Sequence, residues 1–144
     1  MATLKNSQST SKNTFDAIQK TLATHNAKQI TFDYDGGRIV AIAFSIEVNG
    51  ILLPFRLPAR IQNVEKIMYG KNGNTLTTAQ KEQAYRTAWA NIRDWIAAQM
   101  AMIDTGMVKP EEIFLPYLIS PQTGQTFYET MAEQKFLLLP EGRK

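Results

Sequence analysis

Two turn sequences within one long alternating stretch constrain the fold of this chain more than any other feature. Asp35-Gly36-Gly37 and Asn49-Gly50 provide residues that tolerate positive φ, as short hairpin turns require. Apolar and polar residues alternate before, between and after these turns, which is the pattern of half-buried strands. The alternating apolar residues are Ile30, Phe32 and Tyr34 in the first strand, Val40, Ile42, Phe44, Ile46 and Val48 on one face of the second, and Ile51, Leu53, Phe55 and Leu57 in the third. The sequence therefore predicts a three-stranded antiparallel meander.

The central strand of this meander has a second face, and the third strand contains a proline. Because side chains alternate between faces, the second face is expected to carry Ile39, Ala41, Ala43, Ser45 and Glu47. Pro54 has no N–H to donate to a neighbouring strand. The third strand is therefore expected at an edge of the sheet, or to carry a bulge there.

Helical patterns flank the meander on both sides. Residues 1–12 are rich in Ser, Thr, Asn and Lys, and we interpret them as a flexible tail. A first helix is expected over about 14–25, a second over about 59–69, and a long helix over about 78–105. We expect residues 13–144 to form a single α+β domain, since no linker or internal repeat divides them.

Two capping boxes mark helix starts in the second half of the chain. Thr77 is followed three residues later by Gln80, and Thr126 by Glu129. In this motif the threonine hydroxyl and the later side chain each satisfy a backbone N–H of the first turn. Helices are therefore expected to begin directly after Thr77 and Thr126.

The chain has no cysteine and one histidine, His25. Disulfides and thiolate metal sites are excluded, and a zinc site is not expected. His25 stands where the first helix should end, so a favourable interaction with the helix dipole explains it better than catalysis. We expect no catalytic residues, no metal, no cofactor and no enzymatic activity. The lack of cysteine fits a reducing cytoplasm, and the longest apolar run, 39–44, is too short to span a membrane.

The net charge of +3 is unevenly distributed. Between residues 56 and 93 there are seven basic residues and two acidic ones, Glu65 and Glu82. A basic middle segment indicates an anionic partner, although an ordinary solvated surface would have the same composition. The candidate ligand-binding residues are Arg38, Arg56, Arg60, Tyr69, Lys71, Arg86 and Arg93. Substitution of Arg56 or Arg60 is expected to weaken binding and to leave folding nearly intact.

Three segments resemble a family of small proteins common in tailed phages and prophages. They are Pro-Phe-Arg-Leu-Pro-Ala-Arg at 54–60, Thr-Ala-Trp-Ala-Asn-Ile-Arg-Asp-Trp at 87–95 and Ile-Phe-Leu-Pro-Tyr at 113–117. The resemblance implies a viral origin and expression in the cytoplasm of a bacterial host cell, and the family has no assigned activity. The order helix, three strands, helix also resembles the double-stranded-RNA-binding domain, in topology alone.

Two functions of different classes follow from these observations. The first is a non-enzymatic phage accessory protein that binds nucleic acid during replication or recombination, with an affinity that falls as salt rises. The alternative is an anti-defence protein that sequesters an anionic nucleotide immune signal, or that occludes a host immune protein. A metal-dependent enzyme using Asp33 and Asp35 is a third hypothesis, but a solvent-facing strand residue and a turn residue explain these aspartates more simply.

The outer face of the long helix is expected to be rich in small residues, namely Ala90, Ala97 and Ala101. Small side chains permit close approach of another helix, and they are also good helix formers in isolation. The sequence therefore leaves open a homo-oligomer formed through the long helix.

Overall fold

A three-stranded antiparallel sheet lies at the centre of the computed structural model, which describes residues 4–137, with side chains from residue 12 onward. The strands are β1 (Lys28–Asp35), β2 (Arg38–Val48) and β3 (Ile51–Pro58), in the spatial order β1-β2-β3. The predicted meander is confirmed. β3 is an edge strand of this sheet, as expected from Pro54, whose carbonyl accepts a hydrogen bond of 2.9 Å from the backbone N–H of Ile119.

The helices precede and follow the sheet along the chain in the predicted order. They are α1 (Leu4–Thr24), α2 (Ile61–Tyr69), α3 (Thr78–Asp104), α4 (Pro110–Phe114) and α5 (Phe127–Glu133), with short 3-10 turns at Gly73–Thr75 and Leu115–Tyr117. The long helix and the α+β fold class are confirmed. α1 begins at Leu4, well before the expected start at Thr14. Residues 4–13 contain neither proline nor glycine, so the helix extends through the segment that we interpreted as a tail.

Both capping boxes form as predicted. The Thr77 hydroxyl accepts from the Gln80 backbone N–H at 3.1 Å, and the Gln80 side chain accepts from the Thr77 N–H at 2.9 Å. Thr126 and Glu129 make the same reciprocal pair at 3.1 and 2.8 Å. These bonds satisfy first-turn amides of α3 and α5 and fix where each helix begins.

A bulge near the start of β2 changes which side chains face the core. Tyr34 pairs with Ile39, whereas the preceding Asp33 pairs with Ala41, so Val40 is an extra residue in β2. Ile39 therefore joins the buried core, while Val40 lines a surface cavity. The expectation that Val40 shares a face with Ile42 and that Ile39 lies on the other face is wrong, because the bulge shifts the alternation by one residue at this end of the strand.

α1 and α3 cover one face of the sheet and run in the same direction, since Phe15 contacts Trp89 whereas His25 contacts Asp104. Trp89 is 1% exposed, and its indole N–H donates to the carbonyl of Ile39 at 3.2 Å. Trp89 therefore belongs to the core. The other largest fully buried side chains are Phe44, Phe55, Phe114, Ile18, Leu22, Ile42, Ile96, Met100 and Thr126.

Within the described residues, no helix has the length and apolar character needed to cross a membrane.

Candidate functional site

A cavity of about 470 Å³ opens beside the first turn of α2. Three basic side chains from different parts of the fold line it. Arg38 is the first residue of β2, Arg60 directly precedes α2, and Lys81 lies near the start of α3. Two acidic residues, Asp35 and Glu65, also line the cavity. The fold thus gathers cations that are far apart in the sequence around one concave surface.

The bulge in β2 and the short connection from β3 to α2 position this cavity. The carbonyl of Val40 accepts a hydrogen bond from the Ala59 N–H at 2.9 Å, which ties the connection to the bulge. On the other side of the bulge, the Ile39 N–H donates to the Tyr85 hydroxyl at 3.0 Å. Burial raises the pKa of that hydroxyl. The backbone around Arg38 and Arg60 is therefore held from both β3 and α3.

Arg38 is oriented by an aromatic ring. Its guanidinium lies 4.1 Å from the centre of the Tyr85 ring, and one of its N–H groups donates to the carbonyl of Lys81 at 3.4 Å. A cation over an aromatic face gains about 0.5–2 kcal/mol without losing its charge. Arg38 is thus held at the cavity with its positive charge intact.

Arg60 has an unusual backbone conformation for its residue type. It precedes α2 with φ 50° and ψ 50°, in the left-handed region that favours glycine. For a residue with a Cβ this conformation costs about 1–2 kcal/mol. Its exposed side chain lies 5.5 Å from the centre of the Tyr128 ring. The guanidinium thus lies near a ring of α5, while Arg60 as a residue lines the cavity.

The N-terminus of α2 contributes to the same electrostatic environment. The first-turn amides of a helix lack acceptors within the helix and carry a partial positive charge. No side chain caps α2, and its first turn contains no acidic residue. Ile61, Gln62 and Asn63 of this turn line the cavity. The helix terminus therefore adds to the positive potential of Arg38, Arg60 and Lys81.

None of these three cations forms an ion pair with a carboxylate in the part of the chain that the structure describes. The Lys81 ammonium has only a long contact of 3.5 Å with the side-chain oxygen of Asn74. Glu65 is 4% exposed and accepts from the Gly73 N–H at 3.0 Å, so it ties α2 to the following loop. The cavity therefore contains cationic groups whose charge is only partly balanced, which suits an anionic ligand.

The predicted site residues are only partly brought together. Arg38 and Arg60 line the cavity, whereas Arg56, Arg86, Arg93, Lys71 and Tyr69 do not. Lys81 was not among the candidates, although it belongs to the basic segment and directly follows the capping residue Gln80. The predicted position of Lys81 in the first turn of the long helix is the feature of the sequence that could have identified it as a site residue.

The other candidate cations have different surroundings. Arg56 donates to Asp33 at 2.9 Å across β2, on the face of the sheet opposite the core, and Arg93 donates to its neighbour Asp94 at 2.9 Å. Arg86 is half-buried and donates to Gln83 on its own helix. The basic side chains of 56–93 are therefore not all available to one anion, because Arg56 and Arg93 have carboxylate partners outside the cavity.

A larger cavity, of about 580 Å³, lies at the opposite end of α3. Its charged groups are paired: His25 contacts Asp104 at 2.8 Å, and Lys28 contacts Glu47 at 3.8 Å. The other ring nitrogen of His25 lies 2.7 Å from the carbonyl of Thr21, at the end of α1, which agrees with the predicted capping role. This cavity has no group of unpaired cations comparable to that beside α2.

No cluster of three or more histidine or acidic residues suited to a metal ion occurs within residues 4–137. Asp33, one of the two aspartates considered for a metal, accepts a hydrogen bond from Arg56. Comparisons with protein-family models, curated proteins and solved structures found no match. The functional argument therefore depends on the geometry and charge of the cavity.

Proposed function

We propose that this chain is a binding protein for a compact phosphate-bearing ligand, held by Arg38, Arg60 and Lys81 at the N-terminus of α2. The observation that carries the proposal is the convergence of three cations on one cavity. None of the three forms an ion pair with another described residue. Guanidinium groups and helix amides are the donors that phosphate oxygens accept most favourably.

The shape of the cavity favours a compact anion over a long polymer. A nucleic-acid strand is bound along a basic track, with several phosphates neutralised in succession. Arg56 and Arg93 have carboxylate partners outside the cavity, so they do not extend the cationic surface. Asp35 and Glu65 also line the cavity, so its positive charge does not extend into a long track. A single phosphate or pyrophosphate group matches this arrangement better.

Nucleic-acid binding is the second candidate, and the exposed lysines Lys66 and Lys71, on α2 and just after it, favour it. A terminal phosphate could occupy the cavity while these lysines contact the next phosphates. A phage origin, a role in replication or recombination, and an anti-defence role remain predictions from the sequence. Self-association through the face of α3 that carries Ala97 and Ala101 also remains a prediction.

The test is calorimetric titration with inorganic pyrophosphate and with single- and double-stranded 12-nucleotide DNA at 50 and 300 mM salt. We expect pyrophosphate to bind, and Lys81→Gln or Arg38→Gln to weaken it about tenfold or more, since a hydrogen bond to a charged group contributes about 1.5–3 kcal/mol. Arg93→Gln removes the same charge outside the cavity and should leave the affinity unchanged.

Three results would overturn the proposal or redirect it. Absence of binding to pyrophosphate and to both DNAs at 50 mM salt would overturn it. DNA that binds far more tightly than pyrophosphate, with a steep dependence on salt, would favour the second candidate. An equal loss of affinity in Arg93→Gln and Lys81→Gln would show that the overall charge, and not this cavity, attracts the anion.

A further inference from the structure

A third cavity, of about 330 Å³, shares the lining residue Arg60 with the cationic cavity beside α2. Its wall is mainly apolar and aromatic, and includes Pro58, Ile92, Trp95 and Tyr117. Arg60 is the residue common to both linings, so the cationic cavity and the aromatic one adjoin at this residue.

The aromatic rings that line this cavity are packed against one another and against the core. Trp95 packs edge-to-face against the buried Phe114, with ring centres 5.8 Å apart, and against Tyr117 at 5.9 Å. Trp95 and Tyr117 are themselves only partly buried. Fixed aromatic rings that keep some exposure can stack on a planar ligand with little loss of conformational entropy. The compartment is therefore suited to a flat, apolar group.

Polar groups at both compartments match the remaining parts of such a ligand. The exposed amide of Asn91 lines the aromatic cavity and offers a donor and an acceptor in one plane, as the edge of a heteroaromatic ring requires. The exposed carboxylate of Asp35 lines the cationic cavity. A carboxylate repels phosphate but accepts hydrogen bonds from sugar hydroxyls.

The backbone of Arg60 supports a functional role for its side chain. A glycine would adopt φ 50° there without strain, yet the chain has an arginine at this position. Because left-handed conformations of larger residues persist where the surrounding structure enforces them, they are often found at binding sites. Gln29, Lys135 and Phe136 have similar φ angles and line neither cavity, so the strain at Arg60 supports a binding role only together with its place in both linings.

We propose that the ligand is a phosphorylated heteroaromatic molecule of the nucleotide class, with its phosphates in the cationic cavity, its ring beside Trp95 and Tyr117, and Arg60 between them. The inference rests on the proposed function, because it assigns the cationic cavity to phosphate. It adds that the ring, and not the phosphate alone, supplies a substantial part of the affinity.

The test compares ADP, ribose 5-phosphate and pyrophosphate by calorimetry and by tryptophan fluorescence. We expect ADP to bind about tenfold more tightly than pyrophosphate, since stacking on one aromatic residue contributes about 1–3 kcal/mol and about 1.4 kcal/mol corresponds to a factor of ten. Ribose 5-phosphate should gain little over pyrophosphate. ADP alone should change the fluorescence, because Trp95 lines the aromatic cavity whereas Trp89 is buried.

Three variants separate the two compartments. Trp95→Leu should remove the advantage of ADP and leave pyrophosphate binding unchanged, and the exposed Asn91→Ala should reduce that advantage without a risk to folding. Arg60→Gly should weaken every ligand about tenfold while the Tm stays the same or rises, because the strain is released. Lys135→Gly is the matched control, since it removes a basic side chain and releases a left-handed residue at φ 56° that does not line either cavity.

The outcomes distinguish this inference from the proposed function. If ADP and pyrophosphate bind equally, and neither Trp95→Leu nor Asn91→Ala changes the affinity for ADP, the aromatic compartment is not used and the inference is overturned, while the proposed function stands. If none of the three compounds binds, both fail. If Arg60→Gly lowers the Tm and leaves pyrophosphate affinity intact, Arg60 is a structural residue and the shared-arginine arrangement is wrong.

Discussion

The two ends of α3 both adjoin a cavity, but they differ in how their charges are balanced. At the N-terminal end, Arg38, Arg60 and Lys81 line a cavity of about 470 Å³ and make no ion pair within the described residues. At the C-terminal end the cavity is larger, about 580 Å³, yet His25 is paired with Asp104 and Lys28 with Glu47. Cavity size and unbalanced charge therefore point to different ends of α3.

The difference teaches that unbalanced charge is the more informative property. Like charges gathered on one surface repel one another, so the folded protein is less stable than it would be without them. A bound anion relieves that repulsion, and this gain appears as binding free energy. The paired charges at the other end already have their partners, so a ligand there would have to displace them. The cationic end is thus suited to binding and the paired end to stability.

The largest expected effect concerns Trp89, which lies in the core between the two ends. Trp89→Ala should lower the free energy of unfolding by about 3–5 kcal/mol, because it removes a buried aromatic ring and leaves a cavity. The loss should also weaken pyrophosphate binding, since the indole holds the carbonyl of Ile39 beside Arg38. Urea denaturation measures the first effect and calorimetry the second.

The control for Trp89 is Trp95→Leu, in which a partly buried ring is replaced by an apolar side chain. It should cost clearly less stability than Trp89→Ala. A loss of less than 1 kcal/mol in Trp89→Ala would contradict the packing of α3 against the sheet, and with it the link between the core and the cationic end.

Glu65 offers a change with opposite effects on stability and affinity. Glu65→Gln weakens the hydrogen bond from the Gly73 N–H, so the free energy of unfolding should fall by about 1–2 kcal/mol. The same change removes a negative charge from the cationic cavity, so pyrophosphate should bind about threefold to tenfold more tightly, equivalent to about 1 kcal/mol. Thermal denaturation and calorimetry on one preparation measure both.

A matched control for Glu65 lies at the other end of α3. Glu47→Gln removes a carboxylate from the paired cavity, so it should leave pyrophosphate binding unchanged. If Glu65→Gln weakened binding instead, the carboxylate would be a ligand-binding group, and the balance of charge would not explain the affinity.

His25 should make the stability of the paired end depend on pH. The hydrogen bond to the Thr21 carbonyl raises the pKa of His25 above its ordinary value of 6.5, burial opposes the shift, and Asp104 adds to it. A raised folded-state pKa means that the stabilisation is complete below pH 6.5 and is lost as pH rises through the folded-state value. His25→Gln should cost about 0.5–1 kcal/mol at pH 5.5 and almost nothing at pH 9.

The measurement for His25 is the difference in unfolding free energy between the parent protein and the variant at each pH. Asp104→Asn keeps an acceptor but removes the charge, so it should remove part of the same dependence. Pyrophosphate affinity should not change in either variant. A His25→Gln difference that grows with rising pH would have the wrong sign for a raised pKa and would contradict the proposed pairing.

The sequence predicted the parts of this fold that depend on neighbouring residues. Alternation and turn residues defined β1, β2 and β3, and the capping box at Thr77 placed the start of α3. The bulge at Val40 was missed because residues 39–42 are all apolar, so a shift by one residue leaves no trace in the pattern. Yet that bulge sets the position of Arg38, and through Ala59 that of the approach to Arg60.

The candidate site was predicted less well than the fold, for a physical reason. Charge density along the chain identifies the basic segment that contains Arg60 and Lys81, but it does not show which cations have carboxylate partners. Arg56 meets Asp33 only because β1 and β3 lie on either side of β2. Lys81 joins Arg38 only because α3 passes the start of β2. Contacts of this kind come from the tertiary structure, and a single sequence does not encode them locally.

The smallest expected effect concerns Arg56, which the sequence put forward as a ligand-binding residue. Arg56 and Asp33 form a partly exposed pair, with side chains 30% and 42% exposed. Such pairs contribute about 0.2–1 kcal/mol, so Arg56→Gln should lower the free energy of unfolding by less than about 1 kcal/mol. Because this cation is already balanced and lies outside the cationic cavity, pyrophosphate affinity should stay the same.

A double-mutant cycle with Asp33→Asn isolates the Arg56–Asp33 interaction, because the cycle subtracts what each residue contributes alone. A coupling near zero would show that the pair adds little stability, and would not affect the argument about binding. A loss of pyrophosphate affinity in Arg56→Gln equal to that in Lys81→Gln is the decisive result. It would mean that a paired cation attracts the ligand as well as an unpaired one. Ion pairing would then not explain the proposed difference in anion binding between the two ends of α3.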